Sequence, residues 1–275
     1  MKFLWIMKSI SLCLFILTAN SCKKTSGTFA PETGPDTAGE SEPVEKKLIL
    51  PVKIVYDRLT TEFDYLPNTA LLKEIRKSTG YRYVFLYDSK NLLFEYRIYQ
   101  NDKLAYFAQF ARDAQDNISK IIRFDVDLEY GHTYFPKGNY QVEFNSKKQL
   151  SKIQTYGANK KLMEERNLEY DTQNSLVKIT SEAEGMESVA NLQYDQKNGI
   201  YKNIAYLPLI LIVHEDATLL NCMHNMIRYN DSSNPAEDRT ASYEYNPNNY
   251  PSKMMVNRKS WKENHLITYK EVNLP

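Results

Sequence analysis

The sequence has 275 residues, with 35 Lys and Arg against 34 Asp and Glu, a net charge of +1 and 42% hydrophobic residues. A chain so evenly charged carries no basic footprint for nucleic acid or an anionic surface. Three Cys without a CxxC and four His without an HExxH exclude a disulfide framework and ordinary zinc-site spacing.

The chain opens with Lys2 and Lys8 around a positive start, then a short apolar run from Ser9 to Leu17 and the string Ala19-Asn20-Ser21-Cys22. A membrane-spanning helix needs roughly 20 apolar residues, so residues 1–21 read instead as a signal peptide. The position of Cys22 resembles the acylated cysteine of bacterial lipoproteins. Ser21 is the small residue expected before it, although Ala19 stands where Leu is usual. Ordinary cleavage after Ala19-Asn20-Ser21 satisfies the small-x-small rule as well. The cysteine at the cleavage point favours lipidation, with acyl groups such as palmitate holding the protein at a membrane. Residues 22–47 carry the lipid and then Gly27, Pro31, Gly34, Pro35, Gly39 and Pro43, a composition that cannot bury enough apolar surface to fold. As a flexible coil it spans roughly 25–30 Å. Surface-exposed lipoproteins often carry acids just after the cysteine; Lys23 and Lys24 point instead to the periplasmic face of the outer membrane.

Residues 48–275 form one domain, rich in Tyr (21) and poor in Gly (nine). Tyr81–Tyr87 and Leu93–Tyr99 have the aromatic and β-branched content of strands. From Phe144 onwards a phrase recurs: an aromatic followed by Asp or Asn, an apolar residue or Pro six after the aromatic, and Lys eight after it. It runs Phe144-Asn145…Leu150…Lys152, Tyr170-Asp171…Leu176…Lys178, Tyr194-Asp195…Ile200…Lys202 and Tyr245-Asn246…Pro251…Lys253. Internal repetition marks one supersecondary unit stacked on its copies. Each unit reads as a hairpin whose Asp or Asn bonds the backbone two residues on. Strict alternation puts the sixth and eighth positions on one face and the core at positions such as Val177 and Ile179. In the first half the unit slips: Tyr65 leads to Leu71 and Lys73, Tyr87 to Leu93 and Glu95, and Phe110 to Ile118 and Lys120. The apolar insertion at 204–226 interrupts the repeat and is expected to be partly helical, packed inside or across the mouth. The predicted fold is all-β, an antiparallel meander of repeated hairpins, about 12 to 16 strands, curled into an open shell or half-barrel.

Tyr170-Asp171…Leu176-Val177-Lys178-Ile179 resembles a YD repeat, the hairpin of RHS-type shells. Tyr194-Asp195-Gln196-Lys197-Asn198-Gly199-Ile200-Tyr201-Lys202 and Tyr243-Glu244-Tyr245-Asn246-Pro247 resemble uncharacterised bacterial lipoproteins with a domain of unknown function built from such repeats. The resemblance covers residues 50–272 and implies an architecture and an envelope location, not a chemistry.

The residues that could carry chemistry are few. Asp125, Asp127 and Glu129 alternate, which would place three carboxylates on one strand face for Ca²⁺ or hydrolysis, or simply make a solvated edge. His214, Glu215 and Asp216 could supply a base with a carboxylate partner, or the turn that ends the insertion. Cys222-Met223-His224 offers two ligands, too few to close a zinc site, and Cys222 alone reads as a small buried hydrophobe. Lys73, Lys120, Lys152, Lys178, Lys202 and Lys253 form either a basic ladder for an acidic partner or solvated covers over neighbouring rings. His132 and His265 stand alone. The expected protein is a non-enzymatic, monomeric lipoprotein that needs no cofactor and meets the membrane through Cys22. Its partner would be an envelope protein or a glycan. An envelope hydrolase would need those carboxylates within about 10 Å of one another; a glycan binder would need exposed aromatic rings along one face. Any site should lie at 204–226 or 111–139, where the chain departs from its own pattern.

Overall fold

The computed structural model of the protein describes residues 47–127, 133–213 and 223–273. Cys22, Glu129, His132, His214, Glu215, Asp216 and Cys222 lie outside the described residues. Sixteen strands follow one another: β1 (Lys47–Tyr56), β2 (Leu59–Tyr65), β3 (Leu72–Lys77), β4 (Tyr81–Tyr87), β5 (Leu93–Gln100), β6 (Lys103–Arg112), β7 (Ile118–Val126) and β8 (Tyr134–Phe144). They continue as β9 (Leu150–Tyr156), β10 (Leu162–Tyr170), β11 (Leu176–Ala183), β12 (Met186–Tyr194), β13 (Met226–Asp231), β14 (Arg239–Tyr245), β15 (Pro251–Arg258) and β16 (Lys262–Asn273). The helix α1 (Leu207–Val213) lies between β12 and β13.

The expected open shell is overturned. Each strand pairs with its chain neighbours, and β1 pairs antiparallel with β16 from Lys47↔Asn273 to Tyr56↔His265, so the sheet closes into a barrel. A half-barrel would leave two strands with unpaired N–H and C=O rows; closure removes both edges. Because the meander alternates, the turns after even-numbered strands lie on one rim together with both ends of the barrel chain. The turns after odd-numbered strands lie on the opposite, far rim.

A bulge explains the spacing of the repeated phrase. Tyr170 pairs with Leu176 while Glu169 pairs with Lys178, so Val177 is an extra residue. Leu176 and Ile179 both point inward and Lys178 outward, which corrects the strict alternation that put Val177 in the core. The same offset recurs at Ser151, Ser252, Phe94 and Ser119. At β3 the bulged residue is Lys73 itself, so it leaves the lysine row. A bulge bends its strand and tightens local twist, and one stands beside most turns that follow the even-numbered strands.

The Asp or Asn organises each turn as expected, and reaches further. Asp171 Oδ1 accepts from the backbone N–H of Gln173 and Ser175, Asn145 from Lys147 and Gln149, Asp88 from Lys90 and Leu92, and Asn246 from Asn248 and Tyr250. Asn174, Lys148, Asn91 and Asn249 take the positive φ that completes these loops. Asp113 makes the same pair with Gln115 and Asn117. Arg112 therefore stands where the aromatic should, and the unit that starts two residues late is in phase.

The aromatic hydroxyl bolts one hairpin to the previous one. Tyr170 Oη donates to Leu150 O (2.8 Å), Tyr87 to Leu72 O (2.9 Å), Tyr65 to Pro51 O (2.7 Å) and Tyr269 to Pro251 O (2.8 Å). Arg112 Nη2 reaches Leu93 O in the same manner (3.1 Å). Tyr65→Phe keeps the ring and leaves the Pro51 carbonyl without this donor. It should cost about 1–3 kcal/mol in urea unfolding; an unchanged midpoint would mean that solvent already serves the carbonyl.

Inward side chains from strands all round the barrel form one apolar cluster. It is completed by the insertion, whose Ile200, Tyr201, Ile204, Leu207, Leu209 and Ile210 are all buried. The insertion replaces the turn after β12. Asp195 Oδ1 accepts from Lys197 N–H as in the other Asp and Asn turns, but its second donor is Asn225 N–H, thirty residues on. The return strand is β13, which corrects the reading of Ile200 and Lys202 as its start. Between them the chain crosses the rim: Asn203 Nδ2 donates to Ile49 O, Ala205 N–H to Ala70 O and Tyr206 Oη to Asn91 O.

Burial raises the phenol pKa of Tyr65, Tyr87, Tyr96, Tyr201, Tyr243 and Tyr269 above the ordinary value. A raised folded value stabilises the neutral form. The contribution is fully present below the unfolded pKa near 10 and is lost as pH rises towards the folded value, by about 1.4 kcal/mol per pH unit per phenol. Absorbance at 295 nm should therefore show these phenols ionising only as circular dichroism records unfolding. Ionisation near pH 10 with the fold intact would contradict this.

The outer wall is charged. Lys178 pairs with Glu169 (2.7 Å), Lys253 with Glu244 (2.8 Å) and Lys152 with Glu165 (2.9 Å). On β1–β4 a chain of pairs joins Lys53, Glu62, Arg76, Asp64, Glu74 and Arg82. A barrel that spans a bilayer needs an outward apolar band about 25 Å tall. On these strands the outer wall carries paired cations and acids where such a band would run.

Candidate functional site

Towards the far rim the inward positions become polar. Along β10 the inward residues run Tyr170, Leu168, Arg166, Glu164; along β14 they run Tyr243, Ala241, Arg239; along β15 they run Met254, Val256, Arg258. Each charged residue keeps the phase of the apolar residues before it, so it projects into the barrel below the core. Register joins these residues into a band: Arg166↔Ser181↔Ser188, then Tyr229↔Arg239↔Arg258. Beside them lie Glu263 and then His265↔Tyr56.

The band has three centres. In the first, Arg239 is fully buried beside the Tyr229 ring (4.3 Å), and Glu237 Oε2 lies 3.5 Å from its Nη1. Burial, and secondly the charge of Arg258, lower its pKa to about 10, so it is still a cation at neutral pH. Arg258 donates to Glu237 (2.7 Å) and Glu263 (3.4 Å) and lies 4.8 Å from the Trp261 ring. Glu263 meets His265 Nε2 at 2.8 Å, and His265 stacks on Tyr56. In the second, Arg166 and Glu164 form a two-pronged pair (2.8 and 2.5 Å). In the third, Arg123 lies over the Tyr140 ring (4.1 Å) and donates to Tyr140 Oη (3.0 Å) and Tyr156 O (3.3 Å). Such fixed guanidinium and aromatic groups recognise anions and rings; their carboxylates are already held by cations.

Of the residues singled out in sequence, Asp125 belongs to this rim. It faces inward on β7 and holds Lys137 Nζ at 3.2 Å. Asp127 lies just past the end of β7, where its N–H donates to Thr133 O. Glu129, His214, Glu215 and Asp216 fall outside the described residues. His224 sits at the root of the insertion, its Nδ1 3.0 Å from Lys197 O. The four arginines and Glu263 escaped the sequence reading, although a signal existed: a charge in the apolar phase of a strand. Arg123 is two after Ile121, Arg258 two after Val256, and Arg239 two before Ala241.

The tyrosine rings mostly turn inward. An aromatic group on the outer wall does exist: Phe107 stacks on Phe124 at 4.6 Å, and Tyr134 meets both edge-on at 5.6 Å.

No family model matches the chain, and no curated protein does. Among solved structures it is similar to a porin-like protein from Bacteroides uniformis, with 10% identity over 82% of this chain and 98% of that one, at a TM-score of 0.42. A porin-like protein from Bacteroides vulgatus gives 9% identity over 80% and 99%, at 0.40. A chain of the TcdB2-TccC3-Cdc42 structure gives 11% over 79% of this chain and 12% of that one, at 0.35. These likenesses are weak and concern the β architecture alone.

Proposed function

We propose that the protein is a non-enzymatic envelope lipoprotein, held by acyl groups on Cys22 at the periplasmic face of the outer membrane, that binds a partner protein through the far rim of its barrel. One distribution carries the reading. Of eleven exposed large apolar side chains among the described residues, seven lie at the hairpin tips of the far rim: Leu59, Tyr134, Phe135, Leu162, Met163, Met186 and Trp261. Apolar side chains gathered on one face of a soluble body mark interaction surfaces. The tether joins β1 at Lys47, on the other rim, so the apolar tips point away from the anchor. The charged wall between the rims keeps the body in water.

Two measurements test this. Cys22→Ser should move the protein from the membrane to the soluble fraction; retention in the membrane would count against the anchor. A photo-crosslinking residue at Met186 or Trp261 should capture one partner protein in intact cells that a crosslinker at Lys178, on the wall, does not. Equal yields from rim and wall would sink the rim as the binding surface.

A further inference from the structure

Arg123 is only 7% exposed, and among the described residues no carboxylate lies within ion-pairing distance of it. Its contacts there are a phenol oxygen, a backbone carbonyl and a ring, all neutral, and its Nε has no acceptor among the described residues. The other inward arginines behave differently: Arg166, Arg239 and Arg258 each have a glutamate. Buried charges in proteins are paired because an uncompensated one is costly to desolvate. The ring of Tyr140 offsets only part of that cost.

The surroundings supply a second orphan, in a row with small neighbours. Register sets Tyr96, Ala108, Arg123 and Gly138 side by side on the inner face of β5–β8. Tyr96 is fully buried and, among the described residues, its Oη likewise has no partner. In this row the residue between Tyr96 and Arg123 is Ala108, with a single methyl group, and the residue beyond Arg123 is Gly138, with no side chain. Two residues along β7, towards the far rim, Asp125 and Lys137 are half exposed and neutralise one another. The charge count over Arg123, Lys137 and Asp125 therefore leaves one positive charge without a counter-ion among the described residues.

We infer that Arg123 and Tyr96 form an anion site inside the barrel wall, one that takes a singly charged carboxylate group entering from the far rim past Lys137. The carboxylate would accept from Arg123 Nε–H with one oxygen and from Tyr96 Oη–H with the other. Entry needs the inner wall to open, since both donors are sealed in the closed barrel. The inference is independent of the lipid anchor and of the rim partner.

Acetate is the probe, added to the full chain against chloride at equal ionic strength. The Nε–H resonance of Arg123 should shift with saturating dependence on acetate, and the thermal midpoint should rise with it. Arg123→Met should weaken the apparent affinity at least tenfold. Tyr96→Phe, which removes a single oxygen, should weaken it about fivefold, one hydrogen bond's worth. If Arg123→Met fails to fold, the resonance shift and the Tyr96→Phe titration still decide. An Nε–H resonance indifferent to acetate, or a thermal rise that is the same in chloride or survives in either variant, would overturn the site.

Discussion

Gly138→Ala is expected to cost about 3–5 kcal/mol, or roughly 10 °C in thermal midpoint for a domain of this size. Gly138 has φ +113, and a Cβ built on it would stand 1.9 Å from Tyr156 O and 2.8 Å from the carbonyl carbon of Gly157. Both obstacles are backbone, so no rotamer change relieves them. The position is where β8 leaves its pairing with β9, one residue before Asn139↔Tyr156, and where Lys137 bulges against β7. Tyr156 O is also the acceptor of Arg123 Nη2, so displacing it strips that guanidinium of a contact. Gly185 is the control. It also has a positive φ, +77, but nothing lies within 4 Å of its Cβ position. Gly185→Ala should therefore show the conformational cost alone, about 1–2 kcal/mol. Urea unfolding of the two variants separates clash from strain; equal losses would show that the Tyr156 carbonyl gives way without resistance.

The repeat was legible because its Asp and Asn have a local duty, bonding N–H groups two and four residues on, which forces the same residue type at each turn. The bulge was not, since Val177, Phe94 and Lys73 have no common side chain; an extra residue is a property of pairing between strands. Arg112 hid a unit because its guanidinium makes the bond that a tyrosine hydroxyl makes elsewhere, to Leu93 O. Ile200 imitated a strand start because it is apolar six residues after Tyr194, yet its burial comes from plugging the rim. Closure was invisible for a related reason. β1 lies outside the repeated phrase, and only its pairing with β16 turns an open sheet into a barrel. The polar band required reading charge and phase together. An arginine in an apolar phase looks like noise in one strand and becomes a pattern when Arg123, Arg166, Arg239 and Arg258 all lie on the far-rim side of the core.

The second large effect is expected at Ile210, in α1. This side chain is 1% exposed and belongs to the cluster that joins the insertion to the inner faces of the strands. Ile210→Asp removes a buried aliphatic group, about 1.5–3 kcal/mol, and puts in its place a carboxylate that must be desolvated or protonated. A seven-residue helix has no independent stability, since isolated helices shorter than about 12 residues are marginal in water, so α1 should leave rather than hold the charge. The hairpin that carries it should survive. Asp195 keeps its bonds to Lys197 and Asn225 at the root of the insertion, and β12 keeps its register with β13 from Ala190↔Asp231 to Gln193↔Arg228. The expected result is a chain with native far-ultraviolet circular dichroism, new binding of a hydrophobic dye, and proteolytic cleavage confined to the insertion. Replacing residues 196–224 by Thr-Gln-Asn, the turn that serves Asp171, should reproduce the dye binding without the cleavage, because the ordinary turn is restored and only the plug is missing. Loss of all β signal in both variants would mean that the insertion is required for the barrel to close; dye exclusion in both would mean that the strands seal the core unaided.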